Sequence, residues 1–116
     1  MNVLIVINDA PYSTERPFNA LRLAAALAED PDTAVNLFLI GDGAWCAVPR
    51  PKPEEAAYDM EWMLRRYLAG GRRAAVCRTC MEARGIADGQ LIEGACRSTL
   101  AELAQFTRAA DKVFTF

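Results

Sequence analysis

The sequence predicts an α/β fold with three layers, α/β/α, around a mainly parallel sheet of about five strands. Two observations carry this. The apolar, β-branched run at residues 3–7 does not alternate and points to a strand buried on both faces. Helical patterns separate the strand candidates, so strands and helices alternate along the chain. A chain of 116 residues buries roughly 65% of its unfolded surface, enough for one core. No internal repeat or composition break divides it, so residues 1–116 are read as a single domain.

The elements follow in order. The first strand, 3–7, ends at Asn8-Asp9-Ala10-Pro11, which reads as a loop. A helix comes next, with Thr14 as N-cap and Pro17 in the first turn, where a missing N–H costs little. Phe18, Leu21, Ala25 and Ala28 mark its inner face, and Asp30-Pro31-Asp32 stops it. The second strand, 34–40, closes at Gly41-Asp42-Gly43, and 44–48 read as one helical turn. Pro49-Arg50-Pro51-Lys52-Pro53 fits neither helix nor central strand and reads as a stiff exposed connector. A helix is expected from Glu54 to about Ala69, acidic at its start and ended by Gly70-Gly71. Residues 73–77 form a third strand, 79–84 a short helix closed by Gly85, and 91–94 a short fourth strand. Ser98 is expected to cap a helix with Leu100, Leu103, Ala104 and Phe106 inside, and 112–116 form the last strand.

Composition removes several functions. Thirteen basic against fifteen acidic residues leave a net charge of −2, which argues against nucleic-acid binding through phosphate contacts. The chain has no histidine, which removes Ser-His-Asp and Cys-His nucleophiles, mixed Cys/His zinc sites and His-ligated haem. No apolar run approaches the ~20 residues of a membrane span, and the first residues lack the basic start of a signal peptide. Four cysteines are too few for a secreted disulfide scaffold. No membrane association is therefore expected, and a reducing cytoplasm is the expected compartment. Neither GxGxxG nor GxxxxGK[ST] occurs, so no nucleotide site is expected.

The remaining chemistry is in the cysteines. Open parallel sheets place their sites outside the carboxyl ends of the strands. The loops at that edge are expected to carry Asn8-Asp9, Gly41 to Cys46, Cys77 to Cys80, and Cys96. Taken singly, Cys46 and Cys96 read as small packed residues. Cys77-Arg78-Thr79-Cys80 is sharper, because it lies where a strand hands over to a helix. Backbone N–H groups and the helix dipole there favour a thiolate, and Arg78 adds positive charge. The spacing suits a redox pair, half of a zinc site, or two packed thiols. All six prolines precede Cys80, so the facing cis-proline of a thioredoxin is missing. Cys46 and Cys96 do not form a second close pair, so no metal site is expected. Asn8, Asp9, Ser13 and Thr14 precede a helix N-terminus and are weaker candidates for holding an anion. Cys77 and Cys80 are thus the candidate reactive residues, with Arg78, Asn8 and Cys46 as candidate substrate contacts.

Residues 76–86, VCRTCMEARGI, resemble the DsrE/DsrF-like family, which includes sulfur-relay subunits of the Dsr and Tus systems. So do Gly41-Asp42-Gly43-Ala44-Trp45-Cys46-Ala47, Leu91-Ile92-Glu93-Gly94-Ala95, residues 97–103 and Ala110-Asp111-Lys112-Val113-Phe114. The resemblance implies a compact α/β/α domain, often a trimer or hexamer. Relay members carry persulfide sulfur on a cysteine seven residues before the arginine of an Arg-Gly pair. Counting back from Arg84-Gly85 gives Cys77. Cys80 matches a double-cysteine subgroup.

The resulting expectation is a sulfur carrier or sulfurtransferase that loads Cys77, with Cys80 as a resolving thiol and without cofactor. Its partners would be sulfur donor and acceptor proteins. The alternative is a non-enzymatic oligomeric domain for a small ligand or partner, with incidental cysteines. A homo-oligomer, trimer or hexamer, is expected, with Trp45, Tyr58 and Trp62 as candidate interface residues.

Overall fold

Five parallel strands form one sheet, in which the fourth, third, second, first and fifth strands of the chain lie side by side in that order. The computed structural model describes residues 1–116. The strands are β1 (Asn2–Ile7), β2 (Ala34–Leu39), β3 (Ala74–Cys77), β4 (Ala95–Ser98) and β5 (Lys112–Thr115). The helices are α1 (Arg16–Leu27), α2 (Met60–Leu68), α3 (Arg78–Ala83) and α4 (Leu100–Ala109), with a 3-10 turn at Gly41–Ala47.

Chain handedness sorts the helices. The steps from β1 through β4 all move the same way across the sheet, so right-handed crossovers put α1, α2 and α3 on one face. The return from β4 to β5 runs the other way and puts α4 on the opposite face. Val3, Ile5, Ile7, Leu37, Leu39 and Val76 pack with Leu21, Leu64 and Met81 in the larger core. Leu4, Phe38, Ala75 and Cys77 form the smaller core, against Leu103 and Phe106 of α4. Two covered faces explain why β1 reads as an unbroken apolar run.

The second face is only partly roofed. One helix about 10 Å across cannot cover five strands spaced about 4.8 Å apart. Val113, beside Leu4 on this face, stays 47% exposed, and Cys96, beside Ala75, is exposed as well.

Several boundaries differ from those the sequence suggests. The second long helix begins at Met60, not Glu54. Asp59 caps it by accepting from Trp62 N at 3.1 Å, and Tyr12 Oη accepts from Met60 N at 2.9 Å. Residues 91–94 are not a strand. Ile92 is a buried plug whose N–H donates to Ala47 O at 2.8 Å, and Gly94 turns the chain at φ +95 into β4. The strand falls instead on Ala95–Ser98, and Thr99, not Ser98, caps α4 by accepting from Glu102 N at 3.2 Å. At α1 the N-cap position is Glu15, while Thr14 Oγ1 accepts from Arg16 N at 3.1 Å. Tyr58 stacks on Tyr12 and Phe18, with centroids 5.5 and 4.0 Å away. Trp45 packs partly buried against the core, with Arg50 over its ring, and Trp62 is 57% exposed. No helix is long and apolar enough to cross a membrane.

Candidate functional site

Cys77 is the last residue of β3, and α3 starts at the next position. The strand is four buried residues, AAVC, which fix the sulfur on the α4 face beside Ser98 of β4. Cys80 is the third residue of α3. The two thiols border a cavity of about 290 Å³ walled by Ile40, Ser98, Thr99 and Leu100, with Arg78 at its edge. Both cysteines are free.

Their electrostatics diverge. Burial alone pushes the Cys77 thiol up, but interactions with the Cys80 thiol, the Thr79 hydroxyl and nearby backbone N–H groups overcome it. The net effect holds Cys77 below its ordinary value. Thr79 Oγ1 lies 3.2 Å from Cys77 Sγ and donates once the sulfur is a thiolate. No N–H makes a full capping bond to Cys77, yet those of Thr79 and Cys80 lie close enough to favour a charged sulfur. Cys80 goes the other way: burial first, then the neighbouring Cys77, raise it. The first proton therefore leaves mainly from Cys77, and Cys80 serves as its donor.

A second loop holds Cys80. Gly41, at φ +59, donates its N–H to Cys80 Sγ at 3.1 Å. Arg84 donates from Nε and Nη2 to Asp42 Oδ1, at 3.0 and 2.8 Å, and from Nη1 to the Cys80 carbonyl at 3.1 Å. This fork ties the 3-10 turn to α3. Gly43 seats the turn against β1, donating to Asn8 O at 3.1 Å, where a Cβ would meet Ile7 O at 2.0 Å.

The structure brings together Cys77, Cys80 and Arg78. Arg78 contributes less than expected, since its guanidinium reaches 3.8 Å from Glu82 and the lowering of Cys77 comes from hydrogen bonds. Asn8 is elsewhere: its backbone N and Nδ2 both donate to Phe116 O, at 2.9 and 3.2 Å, closing the gap between β1 and β5. That gap is where the strand order reverses, so the usual crevice of such sheets is filled by the chain itself. The neighbouring Asp9 carboxylate accepts from Thr14 and Arg16, at 2.7 and 3.2 Å, and so occupies the donors proposed for an anion. Cys46 is buried away from the cavity, with Sγ 3.5 Å from Asp9 O, and burial pushes its thiol up to about 12. Cys96 lies within β4 rather than in a loop beyond a strand. Sequence reasoning missed Thr79, the Gly41 N–H and the Asp42–Arg84 pair. Only the Arg84-Gly85 pair and the Gly41-Asp42-Gly43 motif hinted at them.

The directions of these shifts set a pH order. A free thiol titrates near about 8.5, so a lowered Cys77 reaches its thiolate at lower pH, and a raised Cys80 at higher pH. Alkylation of Cys77 by a small reagent is expected to rise earlier on the pH axis than that of Cys80, and Cys46 should stay unmodified in the native protein. Peptide mapping after brief labelling at each pH reads the order. Earlier labelling of Cys80 would reverse the assignment of the nucleophile.

The fold agrees with that of a known protein. The chain is 43% identical over 115 residues to the protein YchN of Escherichia coli K12, covering 98% of this chain and 97% of that protein. It is 37% identical over 117 residues to the protein MJ0989 of Methanocaldococcus jannaschii, covering all of both. The crystal structure of the E. coli YchN protein superposes with a TM-score of 0.89 at 39% identity, over 100% of this chain and 99% of that one. All of residues 1–116 match the sequence pattern of a family associated with sulfur relay, and the chain is a member of that family, the DsrE/DsrF-like family.

Proposed function

We propose that this protein is a cytoplasmic sulfur carrier that accepts persulfide sulfur on Cys77. The observation that carries the reading is the thiol pair itself: a lowered Cys77 and a raised Cys80 bordering one open cavity. In loading, the Cys77 thiolate attacks the outer sulfur of a donor persulfide. The donor S–S bond breaks, the donor leaves as a thiolate and takes up a proton, and Cys77 gains one sulfur atom. In delivery, the thiolate of an acceptor protein takes that outer sulfur and frees Cys77. Alternatively, Cys80 loses its proton and attacks the Cys77 sulfur, forming the Cys77–Cys80 disulfide and releasing hydrosulfide. A thiol reductant then returns two electrons to reset the pair. No histidine, metal or cofactor enters these steps.

Mass spectrometry of protein isolated without reductant tests the reading. An adduct of one sulfur atom on the peptide holding Cys77 supports it. Four unmodified thiols that also fail to load from a persulfide donor leave a binding domain with incidental cysteines.

Assembly belongs to the same proposal. The half-roofed sheet face, with Val113 and Leu100 exposed, favours a homo-oligomer, trimer or hexamer. Light scattering at micromolar concentration is expected to give a multiple of 12.7 kDa, and a monomer mass would refute it.

A further inference from the structure

A groove lies on the sheet face opposite the one that holds Cys77. It runs between α1 and α2 with a volume of about 440 Å³, within the size range of small-molecule sites. Leu21, Ala25, Met63 and the exposed Trp62 give it apolar walls. Arg22, Arg66 and Arg72 line it against a single carboxylate, Glu29.

The pairing of arginines in this chain is uneven. Arg16, Arg65, Arg73, Arg78, Arg84 and Arg97 each have a carboxylate partner. Arg22, Arg50, Arg66, Arg72 and Arg108 have none, and three of these five line the groove. Arg22, Arg66 and Arg72 lie over the rings of Phe18, Trp62 and Tyr67, each 5.2 Å from the centroid, and Arg22 also donates from Nη1 to Asn19 Oδ1 at 3.2 Å. Stacking of this kind holds a guanidinium in place while leaving its in-plane N–H donors free. Arg72 is fixed further, donating to the carbonyls of Tyr67 and Ala28 at 3.1 and 3.5 Å.

Apolar walls and guanidiniums without carboxylate partners suit a ligand with an apolar body and one anionic head.

We propose that the α1/α2 groove binds a small amphipathic carboxylate, its chain against Trp62, Met63 and Leu21 and its head toward Arg22 and Arg66. One negative charge suits the groove, because Glu29 opposes a second. The site is separate from the thiol pair and does not depend on the sulfur-carrier reading.

Calorimetry on the intact protein, with octanoate and 1-octanol as probes below their aggregation limits, tests this. Tryptophan emission is followed in parallel. Octanoate is expected to bind at one saturable site, about tenfold or more tighter than the alcohol, the ratio that a charge-assisted hydrogen bond supplies. Arg66→Gln should weaken octanoate about tenfold, with helical content unchanged by circular dichroism. Trp62→Phe should remove the emission change, and Cys77→Ser should bind as the parent does. Equal affinity for the alcohol, undiminished binding in Arg66→Gln, or no saturable binding would each overturn the proposal. So would a Trp62 shielded from acrylamide in the free protein, since a second copy would then cover the groove.

Discussion

Cys77→Ser is expected to abolish sulfur loading from a cysteine-desulfurase or other persulfide donor. The serine hydroxyl stays protonated near neutral pH and cannot attack sulfur. Cys80→Ser should still load, and should hold its persulfide longer, because the thiol that would expel hydrosulfide is gone. Cys46→Ser and Cys96→Ser should load nearly as the parent does, the first because its sulfur is buried elsewhere, the second because it lies outside the cavity lining. The readout is the mass of one added sulfur atom, mapped to a peptide. An adduct that survives Cys77→Ser and maps to Cys80 would show that the wrong thiol had been assigned. The Thr79 hydroxyl supports the same step from 3.2 Å, so Thr79→Val is expected to slow loading without preventing it.

Gly43→Ala should cause the largest loss of stability of any single methyl group at this site. The added Cβ would sit 2.0 Å from Ile7 O, on an interior strand paired on both sides, where neither backbone can give way cheaply. Overpacking against side chains costs about 1–3 kcal/mol, and a clash with fixed backbone belongs at the top of that range or above it. The turn would have to lift from β1, losing the Gly43 N–H bond to Asn8 O. Lifting would also carry the Gly41 N–H away from Cys80 Sγ. A fall in urea midpoint is therefore expected together with a further rise in the Cys80 thiol, read as slower alkylation of Cys80 at fixed pH. The sign follows from the donor: the Gly41 N–H favours the charged sulfur, so removing it favours the neutral thiol. An unchanged midpoint would mean that the turn is not seated against β1.

The sequence by itself determined the parallel sheet and the place of the Cys77-Cys80 pair, where a strand hands over to a helix. Residues 3–7 are apolar on both faces because helices cover both sides, and that requirement is written in consecutive side chains. Cys77 was legible for the same local reason: a strand ends and a helix begins there. Tertiary structure decided the rest. The apolar Ile92 looked like strand but is a plug under the 3-10 turn, while the strand fell on Ala95–Ser98, polar because it lies at a half-covered edge. The start of α2 waited on Tyr12, whose hydroxyl reaches Met60 N from 48 positions away. Arg84 and Asp42, and Gly41 and Cys80, meet across about as much chain. Periodicity and capping report the burial of neighbouring residues, whereas a hydrogen bond between two loops depends on how the strands beneath them are ordered. That order brought β2 beside β3, and with it the Gly41 N–H to the Cys80 sulfur.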